Sequence, residues 1–131
     1  MADLLCALGT AQVRRLEQLV EVRERLAQAY AERLDGIAGL PRADAGDRHG
    51  WQAYVVRVAR RDEALEALEA SEIQAQIGTY ALHRLAAYAD QGPFRGADAA
   101  YERALALPFH NRITEDDVDR VAAVLRASVG G

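Results

Sequence analysis

The sequence predicts an α+β domain in which a small, mostly antiparallel sheet is covered by helices and preceded by a long helix. Apolar residues recur at the 3.6-residue period of a helix from Thr10 to Leu34. Segments 51–58 and 73–77 have the aromatic, β-branched or alternating composition of strands. With 131 residues, half of them hydrophobic, the chain is expected to form a single domain with one core.

Two parts are expected within this domain, N-terminal helices over residues 1–36 and an α+β part over residues 48–131. Residues 3–9 predict a short helix closed by Gly9, ahead of the long connecting helix. The long helix would extend roughly 35 Å at 1.5 Å per residue. A domain of this size does not need such a length to cover its own core, so we expect this helix to pack against something else as well.

The later elements follow from capping residues and proline. Asp62 is expected to cap the helix after the first strand, and Asp98 to cap a short helix that runs through Leu105. Residues 107–110 predict an edge strand, because the proline among them cannot donate a ladder hydrogen bond. A near capping box that begins at Thr114, with three acids in the first turn, predicts the last helix.

Charge and composition argue against several classes of protein. The net charge of −4 and the pI near 5.4 give no basic footprint for nucleic acid. No apolar run approaches the roughly 20 residues of a membrane span, and the N-terminus has no basic stretch typical of a secretory signal. The single cysteine, Cys6, cannot form an internal disulfide, which favours a reducing, cytoplasmic compartment. Its side chain is expected to be small, apolar and buried.

All 16 basic residues are arginine, and the chain contains no lysine. A Schiff base with a carbonyl compound or with pyridoxal phosphate requires a lysine amine. Arginine cannot replace it, because the guanidinium stays protonated and is not nucleophilic. This chain by itself is therefore not expected to hold such a cofactor covalently.

Polar aromatic side chains at a strand exit give the best candidate site. Segment 77–83 leaves the second predicted strand through a glycine and presents Tyr80 and His83 three positions apart. A histidine can donate, accept or shuttle a proton near neutral pH, and a tyrosine hydroxyl can bind an anionic or sugar ligand. The structural alternative is that Tyr80 packs sideways and His83 caps a loop carbonyl.

The other histidines have mainly structural interpretations. His49 could line a pocket with Trp51 and Tyr54, or these three residues could simply start a strand whose aromatic rings enter the core. His110 is expected in a turn. The histidines lie far apart and there is one cysteine, so no metal site is expected. No nucleophile elbow, phosphate loop or paired carboxylates are present, and we assign no catalytic residue.

The chain as a whole resembles the C-terminal portion of the DegT/DnrJ/EryC1/StrS aminotransferases, pyridoxal-phosphate enzymes that aminate nucleotide-linked keto sugars. The resemblance rests on five segments. They are an Ala-Leu-Gly helix over 1–13, a His-Gly-Trp-Gln-Ala-Tyr-Val-Val strand over 49–56, the tyrosine-to-histidine loop over 77–83, Ala-Leu-Pro-Phe-His over 106–110 and Ile-Thr-Glu-Asp-Asp-Val over 113–118.

This resemblance implies the small domain of a type I aminotransferase fold, with the long helix leading from a large cofactor domain. It implies a homodimer whose active sites are built from both subunits. Tyr80 and His83 would face the cleft and help to place the nucleotide sugar, and His49 is a third candidate substrate-binding residue. The large domain that carries the Schiff-base lysine is expected to be missing, with Met1 an internal methionine of the longer protein.

We therefore expect the C-terminal domain, or a truncated form, of a nucleotide-sugar aminotransferase that cannot carry out transamination alone. Two alternatives remain open, a non-catalytic interaction module that pairs through its long helix and a small nucleotide-sugar-binding module. Because the N-terminal helices would normally cover a large domain, the isolated chain is expected to expose an apolar patch and to form a dimer.

Overall fold

A computed structural model describes residues 3–88 and 91–129 of the chain. The elements, in order, are helix α1 (Asp3–Leu34), strand β1 (Tyr54–Arg57), helix α2 (Arg61–Ala70), strand β2 (Gln76–Ile77), two 3₁₀ turns (Leu82–Arg84 and Ala86–Tyr88), helix α3 (Arg95–Arg103), strand β3 (Ala104–Leu107) and helix α4 (Glu115–Val129). This arrangement confirms the predicted α+β class, with a long helix ahead of a small sheet.

The sheet has three antiparallel strands in the order β1-β3-β2. Tyr54 at the start of β1 lies opposite Leu107, and Arg57 at its end lies opposite Ala104. The prediction of an edge strand over 107–110 is therefore wrong. The segment that pairs is the preceding one, which forms the central strand and ends where the proline, having no N–H, would interrupt the ladder.

Both other strands are shorter than their composition predicted. The ladder includes only residues 54–57 of the predicted segment 51–58, and only residues 76–77 of the predicted segment 73–77. The central strand β3 is only four residues long, so β1 and β2 can form ladder hydrogen bonds only where they lie directly opposite these four residues. The apolar residues outside the ladder still contribute to packing, because Trp51 and Ala75 lie against the core.

The core lies between one face of the sheet and helices α1, α2 and α4. Alternate strand residues point to this face, since Tyr54, Val56 and Leu105 are at most 1% exposed. Tyr30 of α1 stacks on Tyr54 with ring centroids 5.0 Å apart and donates its hydroxyl to the carbonyl of Pro108 at 2.8 Å. Burial of each such side chain contributes on the order of 1.5–3 kcal/mol, which fixes the second half of α1 against the sheet.

Helix α1 is continuous from Asp3 to Leu34, so the predicted break at Gly9 is wrong. A glycine inside a helix costs roughly 0.5–1 kcal/mol, which does not end a helix with good formers on both sides. Residues 3–18 are exposed, and the buried positions begin at Leu26. Cys6 lies on this exposed half, and its predicted burial is therefore wrong.

Helices α2 and α3 begin earlier than their predicted caps. Helix α2 starts at Arg61, and Asp62 lies within its first turn, with its carboxylate 2.6 Å from the Arg61 guanidinium. Helix α3 starts at Arg95, so Asp98 is likewise inside the helix, and Leu105 belongs to β3. Acidic residues are favourable at every position of the first helical turn. An aspartate therefore indicates that a helix N-terminus is near, but it does not identify the first residue of the helix.

Helix α4 begins where the sequence predicts. The side chain of Asp117 accepts hydrogen bonds from the backbone N–H of Thr114 at 2.9 Å and from its hydroxyl at 2.7 Å, while Thr114 accepts from the Asp117 N–H at 3.2 Å. This is a reciprocal capping box. The bonds from Thr114 hold the pKa of Asp117 below its usual value. No helix in the described ranges is both long and apolar enough to cross a membrane.

Candidate ligand-binding loop

The segment that carries Tyr80 and His83 leaves β2 at Gly78 and crosses the face of the sheet opposite the core. The Gly78 N–H donates to the carbonyl of Ala104 at 2.9 Å. A Cβ atom at position 78 would lie 2.5 Å from Cγ1 of Val55 and 2.9 Å from Cβ of Ala104. Only glycine fits this approach without displacement of its neighbours, and the loop is thereby seated at the Ala104 end of the sheet.

Tyr80 is the most exposed aromatic residue of this loop. Its side chain is 63% exposed, and its ring centroid lies 6.3 Å from that of Tyr101 on α3, at an interplanar angle of 38°. The contact with Tyr101 covers one part of the ring and leaves the remainder to solvent. This position is compatible with a ligand contact, because most of the residue is accessible to solvent.

His83 is held by a carboxylate and by an aromatic ring. Its Nε2 atom lies 3.0 Å from Oδ1 of Asp98, and its ring meets that of Phe94 edge-on at 5.2 Å. The side chain is 13% exposed. The structural alternative predicted that His83 caps a loop carbonyl, whereas its observed partner is the Asp98 carboxylate. This bond joins the loop to helix α3.

Asp98 is the centre of a charged cluster that sequence reasoning missed. Arg84 donates from Nε to the same Oδ1 atom at 2.5 Å and from Nη2 to Oε1 of Glu102 at 2.6 Å. The hydrogen bond from Arg84, and secondarily that from His83, lower the pKa of Asp98. The available signal was the four-residue spacing of Asp98 and Glu102, which places both carboxylates on one face of a helix.

Tyr101 lies beneath two guanidinium groups. The Cζ atom of Arg84 lies 5.2 Å from the centre of its ring, and that of Arg61 lies 5.3 Å from it. These distances are typical of cation–π contacts. Arg61 is only 4% exposed, and its Nη1 atom has no hydrogen-bond partner within the part of the chain that the structure describes. The Tyr101 ring therefore connects α3, the start of α2 and the loop.

His49 is at the opposite end of the sheet from Tyr80 and His83. It precedes β1, which enters at the Leu107 end, whereas the loop leaves β2 at the Ala104 end. Its ring contacts that of Trp51 with centroids 4.1 Å apart and a tilt of 31°, and its Nδ1 accepts the Trp51 N–H at 2.9 Å. The fold thus holds both Tyr80 and His83 against helix α3 and leaves His49 apart from them within one chain.

The rings beside His49 form an aromatic cluster. Trp51 lies 5.7 Å from Tyr54 and 6.3 Å from Phe109. Tyr54 is buried and Trp51 half-buried, as the structural interpretation of these residues predicts. Burial raises the pKa of Tyr54 to about 12. His110 lies in a turn, as expected, and accepts the Arg112 N–H at 3.3 Å.

Two further features bear on the chemistry of the described residues. A groove of about 580 Å³ lies between segment 72–76, the end of β3 and helix α4, and residues such as Gln76, Pro108 and Arg120 line it. None of the three predicted site residues lines it, so its size does not assign it a function. No cluster of three or more metal-ligating side chains occurs in residues 3–88 and 91–129.

Comparison with known proteins links this fold to one family. The profile of the DegT/DnrJ/EryC1/StrS aminotransferase family matches residues 1–126. The spore coat polysaccharide biosynthesis protein SpsC of Bacillus subtilis (strain 168) is 32% identical over 145 aligned positions, which cover 100% of this chain and 37% of that protein.

Two other similar proteins carry more specific descriptions. The UDP-N-acetyl-3-dehydro-alpha-D-glucosamine 3-aminotransferase of Acidithiobacillus ferrooxidans is 32% identical over 114 positions, covering 83% of this chain and 31% of that protein. The structure of DesV from S. venezuelae, in complex with a ketimine intermediate, matches with a TM-score of 0.80 at 26% identity and covers 92% of this chain and 34% of that one. The chain therefore spans about a third of the length of the proteins it matches.

Proposed function

Because the chain belongs to the DegT/DnrJ/EryC1/StrS aminotransferase family, we propose that it is the C-terminal small domain, or a truncated form, of an enzyme that aminates a nucleotide-linked keto sugar. The observation that carries this proposal is the family match over residues 1–126, together with coverage of only 31–37% of the curated relatives. The match favours this function over a non-catalytic interaction module.

Pyridoxal phosphate is the cofactor of the full-length family, and it acts as an electron sink when an amino group is transferred. The residues of this chain do not fit its covalent attachment, because all 16 basic residues are arginine. A guanidinium stays protonated and does not form a Schiff base. In the proposed enzyme the lysine comes from a separate large domain, and this chain supplies part of the substrate pocket.

Tyr80 and His83 are the residues that we assign to the substrate. Tyr80 is 63% exposed, and its hydroxyl can donate a hydrogen bond to a sugar or phosphate oxygen or accept one from a sugar hydroxyl. His83, three residues further along the loop, is held in place by Asp98. We assign His49 to substrate as well, in the second active site of a homodimer, because the strand register separates it from the other two within one chain.

The exposed half of α1 is the surface that we assign to the large domain. Five large apolar residues on it are 55–80% exposed, namely Leu4, Leu5, Leu8, Val13 and Leu16. Such a stripe on a soluble chain indicates an interaction surface. We also propose that the protein is cytoplasmic, because a single cysteine favours a reducing compartment.

Substrate contact can be tested by isothermal titration of the chain with UDP-N-acetylglucosamine and, in parallel, with GDP-mannose. We expect saturable binding of at least one probe, weakened about tenfold or more in the double variant Tyr80→Phe/His83→Ala. Loss of one or two hydrogen bonds to a ligand corresponds to such a factor. His110→Ala, a turn histidine outside the loop, is the matched control and should bind normally. Equal binding by the double variant would remove both residues from the site.

The requirement for a separate lysine can be tested with pyridoxal phosphate and borohydride. We expect no reduced cofactor adduct on any side chain of the 131-residue protein, because it contains no lysine amine. Mass spectrometry of tryptic peptides provides the measurement, and it separates side-chain adducts from modification of the N-terminal amine. Turnover of a keto sugar with glutamate by this chain alone would contradict the proposal.

A further inference from the structure

The three histidines use their ring nitrogens differently. His49 and His110 each accept a nearby backbone N–H through Nδ1. His83 instead bonds through Nε2 to Asp98, and no hydrogen bond to its Nδ1 occurs within residues 3–88 and 91–129. Of these three side chains, His83 is the one whose Nδ1 accepts no hydrogen bond from the described residues, which leaves this nitrogen open to a ligand.

The partner of His83 is a carboxylate that acts only as an acceptor. Oδ1 of Asp98 receives the His83 bond and the Nε–H of Arg84 at the same atom. The guanidinium holds Asp98 ionised, which is consistent with its lowered pKa. An ionised carboxylate has no proton to donate, so Nε2 of His83 must carry the hydrogen of the bond.

We propose that Asp98 is a positioning residue that fixes neutral His83 as the Nε2–H tautomer, so that Nδ1 faces the ligand as a hydrogen-bond acceptor. The ligand group that meets Nδ1 is therefore a donor, a hydroxyl of the sugar, and not an oxygen of the diphosphate. The same arrangement orients metal-bound and catalytic histidines, whose free nitrogen is set by the bond that the other one makes. The inference rests on the proposed function for the identity of the ligand.

The residues that contact Asp98 and His83 explain why the imidazole of His83 is held in a single orientation. Arg84 connects Asp98 to Glu102 one turn later on α3 and lies over the Tyr101 ring. Phe94 meets the His83 ring edge-on at 5.2 Å, which restricts rotation about its last side-chain bond. Both the carboxylate and the imidazole are thus constrained by neighbours on the same helix or at its start.

Long-range ¹H–¹⁵N correlation spectra of the imidazoles in the 131-residue chain test the tautomer directly. At a pH where His83 is neutral, we expect a single Nε2–H pattern, assigned by its absence in His83→Gln. Asp98→Ala should convert this pattern to an average of the two tautomers. Glu102→Gln, which neutralises the second carboxylate that Arg84 binds, should preserve the single Nε2–H pattern.

The backbone amide spectrum serves as a folding control, and Asp98→Leu, which has a side chain of similar shape and no hydrogen-bonding group, replaces Asp98→Ala if the latter is unfolded. An Nδ1–H pattern in the unmodified chain, or an unchanged pattern after removal of the carboxylate, would overturn the inference. A purely structural role for Asp98 would change stability without moving the tautomer, so the two roles give different spectra.

The same spectra test whether a sugar hydroxyl of the ligand donates a hydrogen bond to Nδ1 of His83. UDP-N-acetylglucosamine is expected to shift His83 Nδ1, and UDP alone is expected to leave it in place, because UDP has no hexose hydroxyls. An equal shift with both probes would overturn the assignment to the sugar. No shift with either probe, while the Nε2–H tautomer is present, would instead contradict the proposed function and leave the role of Asp98 supported.

Discussion

At the scale of single residues, the candidate site depends on one glycine. Gly78 allows the chain to cross the sheet at a point where a Cβ atom would lie 2.5 Å from Val55 and 3.0 Å from the carbonyl carbon of Ala104. Ala104 cannot move away freely, since it is buried in the central strand. The positions of Tyr80 and His83 therefore follow from a close backbone approach at the start of their loop.

We predict that Gly78→Ala destabilises the protein by about 1–3 kcal/mol, the usual cost of overpacking at a tight contact. The free energy of unfolding is measured by urea denaturation. Gly96→Ala is the matched control, because a Cβ at position 96 meets nothing within 4 Å and the residue lies in α3. The control should be neutral or more stable, by up to about 1 kcal/mol. A Gly78→Ala variant as stable as Gly96→Ala would contradict this account.

The sequence indicates which loop carries the site, but not what holds it. Tyr80 and His83 could be located because a glycine ends a strand-like segment just before them. Asp98 was expected to be a helix cap, since an aspartate before a helical pattern has that local explanation. Its actual role depends on a contact 15 residues away in sequence, with His83. Tertiary contacts of this kind leave no periodic signal along the chain.

At the scale of elements, α4 is the helix whose start is most strongly determined by local sequence. Thr114 and Asp117 exchange hydrogen bonds across the first turn, and these groups are on the surface. Local chemistry is enough to specify such a start, and here the prediction from sequence is confirmed. Strand β3 is the opposite case. Its sequence continues the apolar pattern of α3 and becomes a strand only because β1 and β2 pair with it on both sides.

We predict that Thr114→Ala lowers the free energy of unfolding by about 1 kcal/mol at pH 7, as is typical of a lost N-cap. The pKa of Asp117 is lowered first by the backbone N–H of Thr114, which the variant keeps, and then by the hydroxyl of Thr114, which the variant loses. A lowered folded-state pKa adds stability above the unfolded value, about 3.9, so the part that the hydroxyl contributes is lost as the carboxylate is protonated. The difference between variant and parent should therefore shrink as the pH falls below about 4. The free energy of unfolding of variant and parent is measured by urea denaturation at pH 7 and at a pH below about 4.

Thr10→Ala is the control for this prediction. The Thr10 hydroxyl donates to the carbonyl of Cys6 within the exposed half of α1, so it caps no helix end. Alanine has the highest helix propensity, and the substitution should be neutral or slightly stabilising at either pH. A similar loss of stability in both variants would show that the threonine hydroxyl at position 114 has no specific capping role.

At the scale of the whole molecule, the two halves of α1 have different environments. The second half packs on the core through residues such as Tyr30 and Leu34, whereas residues 3–18 are exposed. The apolar periodicity of the helix predicted one continuous apolar face, and this chain covers that face only along the second half. Periodicity identifies a face that is apolar, but it cannot identify the surface that covers it.

The apolar stripe on the exposed half of α1 leads to the last prediction. Leu5 and Leu8 are 55% and 57% exposed, and three further large apolar residues share that half. Association of two copies through this stripe would remove apolar surface from water, at about 25 cal/mol for each Å² buried. We therefore predict that the isolated chain forms a dimer or a larger species at high concentration, measured by light scattering coupled to size exclusion.

The double variant Leu5→Glu/Leu8→Glu should be monomeric under the same conditions, because two carboxylates on the stripe oppose both burial and close approach of a second copy. Gln12→Glu adds charge to the same half of the helix without removing an apolar side chain, and this control should associate like the parent. Circular dichroism confirms that the helix is retained in each variant. A parent chain that stays monomeric at high concentration would show that this stripe does not support self-association.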